Sequence, residues 1–190
     1  METPVDTERT PRLAPIERPE SWLMRLAYWM TRRQMGTVIT PLKVIYARLP
    51  KSLGLARQMV KTEAALSLDN ELKFLIKSYV ATINGCAFCI DIAKAQALER
   101  DVPIEKYDAL LQYETSEAFS ERERAALAYV EEATREKAVD DATFERLAAH
   151  FSEEEIAEIT WLNAMENYYN LLNRPLNVGS DELCALRSRS

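Results

Sequence analysis

Asn84-Gly85-Cys86-Ala87-Phe88-Cys89-Ile90-Asp91 joins two apolar-periodic stretches and carries two of the chain's three cysteines. Upstream, Asp69 is placed to cap a helix in which Leu72, Leu75, Ile76, Tyr79, Val80 and Ile83 follow the spacing of a buried stripe. Downstream, the pattern resumes through Ile92, Ala93 and Ala97 to about Glu99. Only Gly85 interrupts it, which predicts a helix–turn–helix or a bend, with both cysteines on the first turn of the second helix. Thiols three positions apart on a helix lie side by side, and the N–H groups of a helix start favour a thiolate over a thiol. The pair points to disulfide exchange or peroxide reduction. The plainer alternative is two small buried hydrophobes, since free cysteine packs well in cores.

Working outward, strand signals are absent. Glu20 to Met35 predicts a short helix carrying Trp22, Leu23, Leu26, Tyr28, Trp29 and Met30 beside Arg25, Arg32 and Arg33. Such a helix packs on the core or on another subunit; an interfacial membrane helix is the competing pattern. Thr40-Pro41 predicts an N-cap with proline at the first helical position, opening a brief helix that Pro50 closes. Another helix follows from about Lys51 to Leu66, and Val102-Pro103 starts a short one. Ser120-Glu-Arg-Glu123 and Ser152-Glu-Glu-Glu155 match the capping box and start two long helices. Between them Asp140 or Asp141 caps a shorter helix ending near His150. The last long helix, to Leu172, is apolar almost all round, with Ile156, Ile159, Trp161, Leu162, Met165, Tyr168, Leu171 and Leu172, which predicts deep burial. On it Asn163, Glu166, Asn167 and Asn170 form one polar stripe, facing either solvent or a buried polar cavity.

The 190 residues suit a single domain with its own core, which we place at 21–178, between an N-terminal arm (1–20) that stays extended or disordered until it meets a partner surface and a C-terminal tail (179–190). The net charge of −6 is interspersed along the helices, which argues against nucleic acid. The polar opening and the lack of a long apolar run predict a cytoplasmic chain with no membrane span, where a CxxC cycles rather than staples. A structural zinc needs four ligands; Cys184 in the tail and the lone His150 do not supply them within one chain, so neither metal nor other cofactor is expected.

Leu75 to Ala97 around the Asn84–Asp91 core, together with His150–Ile156 leading into Asn170–Arg174, resembles the alkylhydroperoxidase D-like, or carboxymuconolactone decarboxylase-like, family in its longer, peroxidase-related branch, over roughly residues 40–178. The resemblance implies an all-α, single-domain helical bundle, for which the pattern here gives about eight helices. It also implies a homo-oligomer, trimer or hexamer, that reduces a small hydroperoxide at the expense of an external dithiol. Carried over, Cys89 attacks the peroxide and Cys86 resolves the sulfenic acid to a disulfide. Exchange with the dithiol then needs Cys86 exposed.

The family's proton relay is missing. It has a glutamate twelve residues before the first cysteine and a histidine four after the second; here those positions hold Phe74 and Ala93. Glu166, Tyr79, Tyr168 and Tyr169 are candidates to fill the gap, with Asn163, Asn167 and Asn170 lining the cavity. Asp91 is expected as a first-turn charge or salt-bridge partner, His150 as a loop residue, and Cys184 as an unpaired thiol. The function expected is a peroxiredoxin-like, thiol-dependent oxidoreductase. Two alternatives stay open: a non-enzymatic redox-responsive or ligand-binding oligomer on the same scaffold, favoured by loss of the relay, and a decarboxylase or lactone-processing enzyme that does not use the cysteines.

Overall fold

The computed structural model of the chain describes residues 10–100, 102 and 104–187. Among these there is no strand. Eight α-helices follow one another: α1 (Trp22–Met35), α2 (Leu53–Ala65), α3 (Asn70–Ile83), α4 (Ala87–Glu99), α5 (Glu121–Glu136), α6 (Asp141–Ala148), α7 (Glu153–Asn173) and α8 (Leu183–Arg187). Local chemistry explains where four of them begin. Asp69 accepts from the Leu72 N–H at 2.7 Å, Asp140 accepts from the Thr143 N–H at 2.7 Å, and both capping boxes close, at Ser120 with Glu123 and at Ser152 with Glu155. No helix among the described residues is long and apolar enough to cross a membrane.

The bundle is built around α3, which packs against α4, α5 and α7. Its expected stripe is buried except for the half-buried Ile83, and so are Lys73, Lys77 and Ser78 on its other sides. One apolar cluster joins α3 to α5, α6 and α7; a second gathers α1, the 38–46 segment, the start of α4 and Leu183 around the cysteines.

Several expectations change on folding. Thr40 does not cap: its N–H and hydroxyl both donate to the Asp181 carboxylate, at 2.6 and 2.5 Å. The segment after it closes as a π-helical turn, Leu42–Tyr46, in which Ala47 N–H donates to Leu42 O at 2.9 Å. The helix expected from Val102-Pro103 is a 3₁₀ segment, Glu105–Gln112, and Pro103 lies outside the described residues. On α7, Trp161 and Leu171 are exposed, whereas Asn163, Glu166 and Asn170 are buried. The helix therefore turns its polar stripe inward and leaves part of its apolar surface outside.

Both ends of the described chain join the bundle. Residues 1–9 of the expected arm and 188–190 of the expected tail lie outside the described residues. From Thr10 the arm is irregular and already has a surface in its own chain: Arg12 N–H donates to Leu176 O, Asn177 donates to Thr10 O, and Tyr28 Oη donates to Ile16 O at 2.6 Å. The segment expected as a tail forms α8, whose Leu183 is buried. Asp91 is responsible for that docking. It is neither a first-turn charge nor a salt-bridge partner; its buried carboxylate accepts from Ser180 Oγ and from the backbone N–H groups of Asp181, Leu183 and Cys184, at 2.9–3.1 Å. A carboxylate with four donors is satisfied without a cation.

Asp91→Ala leaves three backbone donors short of their acceptor, so we expect a loss of about 3 kcal/mol or more of stability in urea unfolding. A loss below about 0.5 kcal/mol would show that α8 docks by its apolar contacts alone.

Candidate active site around the Cys86–Cys89 pair

The α3–α4 turn presents the cysteines. Gly85 takes φ +64, the left-handed conformation that favours glycine, and a Cβ there would also stand 3.3 Å from the guanidinium of Arg174, which would have to shift. Arg174 Nη1 donates to Asn84 O and closes the turn from outside. Cys86 is the N-cap of α4, which puts Cys89 at its third residue. The two Cα atoms are 5.3 Å apart and the sulfurs are at disulfide-bonding distance. Cys86 makes no side-chain cap hydrogen bond to the helix start, so what the first turn of α4 offers both sulfurs is its dipole, which favours negative charge.

Cys86 is 1 % and Cys89 3 % exposed. The exposure of Cys86 that exchange with an external dithiol would need is thus not present in this structure. The cause is the second apolar cluster, in which Met24, Val38, Leu42 and Leu183 are packed together with the cysteines.

The polar stripe of α7 runs down to the same place. Asn84 Nδ2 donates to both Asn167 Oδ1 (2.9 Å) and Asn170 Oδ1 (2.8 Å), tying the turn to α7. Asn170 Nδ2 donates to Glu166 Oε1 at 2.7 Å. Asn163 Oδ1 accepts from Thr134 Oγ1 and from Asn167 Nδ2, at 2.8 and 3.0 Å. One turn beyond Asn170 comes a residue the sequence reading passed over: Asn173 is buried, and its Nδ2 donates to Cys89 Sγ at 3.5 Å. It continues the stripe by a further step of three, which is the signal that could have found it. On the outer side of the Asn84 bridge lies an open hollow of about 330 Å³ bordered by Asn170, Leu171, Arg174 and Pro175.

A cluster of polar and charged groups lies beside the two relay positions. Phe74 and Ala93 border a small hollow of about 10 Å³, the size of one water. One turn along from each stand Lys77 and Gln96. Lys77 Nζ donates to Gln96 Oε1 at 2.9 Å and forms a buried ion pair with Glu63 Oε1 at 2.8 Å. Glu63 arrives from α2, so no spacing within the cysteine segment could have revealed it. Glu166 is fully enclosed, and burial pushes its carboxyl up to about 7; Glu63 adds to the rise, while Lys77 and the Asn170 amide oppose it. With one ammonium between two carboxylates, Glu166 becomes the carboxyl that exchanges its proton near neutrality.

Tyr79 is engaged elsewhere. Its ring stacks edge-on with Tyr113 at 5.2 Å, and both hydroxyls lie on Glu131. Tyr169 is closer to the chemistry: its buried hydroxyl has no partner, and burial raises its pKa, with Tyr46, Glu63 and Glu166 adding to the effect. Its neighbour Tyr168 stacks against it at 5.5 Å. His150 is exposed in the turn before α7, and Cys184 is a free, half-buried thiol on α8.

Comparison with known proteins settles the lineage. The carboxymuconolactone decarboxylase family profile matches residues 53–132, which hold α2 to α4 with the CxxC. The uncharacterized protein YnjA of Escherichia coli K12 is 30 % identical over 167 residues, covering 86 % of this chain and 91 % of its own. The chain belongs to the carboxymuconolactone decarboxylase-like, alkylhydroperoxidase D-like family. Among solved structures, a family protein of unknown function from Agrobacterium tumefaciens, described in connection with antioxidant defence, is 27 % identical with a TM-score of 0.67, covering 72 % of this chain and 96 % of that one. The peroxidase-related protein from Silicibacter sp. TM1040 matches at 20 % identity and a TM-score of 0.78, over 92 % and 94 % of the two chains; it shows the same fold. Within this alkylhydroperoxidase D-like frame, the Lys77–Glu63–Gln96 cluster and Glu166 are what this chain has beside the relay positions.

Glu166 makes stability depend on pH with a definite sign. Folded, it holds its proton up to about 7, whereas an unfolded glutamate releases it near 4.5. Stability associated with this group is therefore full below about pH 4.5 and falls as pH rises towards 7, by about 3 kcal/mol in all. Glu166→Gln removes that fall. Urea unfolding at about pH 5 and about pH 8 should show the variant gaining on the parent protein at the higher pH, and equal pH dependence in both would refute the assignment.

Proposed function

We propose that the protein is a thiol-dependent oxidoreductase that reduces hydroperoxides by cycling Cys86 and Cys89 between dithiol and disulfide. The observation that carries this reading is the pairing of the Cys86 and Cys89 sulfurs as a disulfide at the start of α4, with a buried amide on Cys89. Membership of the alkylhydroperoxidase D-like family supports it.

In this reading the Cys89 thiolate attacks the terminal oxygen of ROOH. An S–O bond forms, the O–O bond breaks, and the alkoxide leaves with both electrons of that bond. Glu166, whose carboxyl is pushed up to about 7, supplies the proton that turns alkoxide into alcohol, carried by solvent because the amides of α7 that lie between it and Cys89 cannot pass on a proton. The Cys86 thiolate then attacks the Cys89 sulfenic sulfur, forming the disulfide and expelling hydroxide, which takes a proton to become water. An external dithiol restores both thiols through a mixed disulfide. Because both sulfurs are buried, that last exchange requires the apolar cover of the α4 start to open. The hollow beside Asn84 and Arg174 is the approach from solvent to the same turn. The reading extends to a homo-oligomer: Trp22 and Trp29 are 74 % and 60 % exposed on α1, an aromatic face suited to a contact between subunits.

The test is to add a stoichiometric organic hydroperoxide to the fully reduced protein and follow loss of two hydrogens by intact mass. Rapid Cys86–Cys89 disulfide formation that Cys89→Ser abolishes supports the reading. Oxidation no faster than that of a free model thiol sinks it. Glu166→Gln should slow the step by about 10²-fold and remove its decline above about pH 7, because an amide cannot pass on the proton.

A further inference from the structure

The carboxamide of Asn173 is not explained by packing. It lies 3 % exposed near the end of α7; Nδ2 donates to Cys89 Sγ at 3.5 Å, while Oδ1 is buried and accepts no hydrogen bond. An unpaired buried carbonyl costs stability, and an apolar side chain of the same size would fill the space without that cost. Cys86 differs: as N-cap it makes no side-chain cap hydrogen bond. The two sulfurs of the CxxC are therefore chemically unequal in this chain, and the inequality is supplied by α7.

We propose that Asn173 is a catalytic residue that selects Cys89 as the attacking sulfur: its Nδ2–H donates to the Cys89 thiolate, and its Oδ1 accepts the O–H of the incoming hydroperoxide. This rests on the hydroperoxide reading above. One amide then holds both reacting atoms, sulfur on its nitrogen side and the terminal peroxide oxygen on its oxygen side. When the S–O bond forms and the O–O bond breaks, the terminal hydroxyl keeps its hydrogen and becomes the sulfenic O–H, still on Oδ1. Sulfur gives up two electrons, and the alkoxide leaves with them and takes its proton from Glu166 or solvent. A donor to the thiolate lowers the Cys89 pKa, and an acceptor for the peroxide orients its O–O axis towards sulfur.

The assignment is tested in a reduced Cys86→Ser, Cys184→Ser background, where Cys89 is the sole thiol. Thiolate absorbance in the ultraviolet is titrated for Asn173, Asn173→Leu and Asn173→Asp, and the rate constant for an organic hydroperoxide is measured and corrected for the thiolate fraction. We expect the Cys89 titration to move up by about one to two pH units in both variants. The corrected rate should fall by about tenfold or more. Asn173→Asp keeps the shape of the side chain but replaces the donor with a second acceptor, so shape alone does not rescue it. Asn173→Leu covers the case in which a buried carboxylate prevents folding. A variant that folds, titrates with the parent and reacts at the parent's corrected rate overturns the assignment. Failure of the hydroperoxide reading shows separately, as a parent protein that outpaces no free thiol, and the titration then still decides whether Asn173 activates Cys89.

Discussion

The Asn84 carboxamide holds the site together. A helix–turn–helix with a left-handed glycine has no intrinsic direction relative to the rest of a bundle, yet here one amide group donates to two asparagines on α7. That double bond to α7 sets where Cys86 and Cys89 sit against Asn170 and Asn173. Arg174 reinforces it from outside by bonding Asn84 O and lying over Gly85, so that a Cβ there would meet its guanidinium at 3.3 Å. The turn is thus clamped from two sides by residues of a single helix end, and the rigidity of a reacting geometry follows from that clamp.

Behind the turn, the electrostatics depend on a shortage of positive charge. Burying a carboxylate is tolerable when it is paired and expensive when it is not. Glu63 has the Lys77 ammonium at 2.8 Å. Glu166 has an amide on one oxygen and only a share of the same cation, so the neutral form becomes competitive near pH 7. The positions on α3 and α4 held by Phe74 and Ala93 carry no titratable group, and the carboxyl raised to about 7 stands on a different helix. Glu166 thus stands on the same helix that brings Asn173 to Cys89.

The cover over the cysteines is held in place by polar groups at its edge. Asp91 collects four donors from the 180–184 segment, and Asp181 in turn holds Thr40. These bonds fasten α8 and the π-helical turn beside the apolar cluster that buries Cys86. The two carboxylates couple the ends of the described chain to the Cys86–Cys89 pair: releasing either would loosen the apolar cover that buries both sulfurs.

The elements of the fold were legible locally. Apolar periodicity, the Asp69 and Asp140 caps, two capping boxes and the lone Gly85 specify an all-helical chain with Cys86 and Cys89 at a helix start, because each is an interaction between residues within a turn or two of one another. What tertiary structure alone decided is which way each face points and what meets it there. The α7 stripe of Asn163, Glu166 and Asn170 satisfied either a solvent or a buried reading until α3 and the turn supplied its partners. Glu63 reached Lys77 from another helix, Asp91 found backbone donors some ninety residues later, and Tyr79 was drawn away to Glu131. Hydrogen bonds and charge pairs across such separations leave no periodic trace, because a polar side chain's partner is set by packing rather than by its neighbours in sequence.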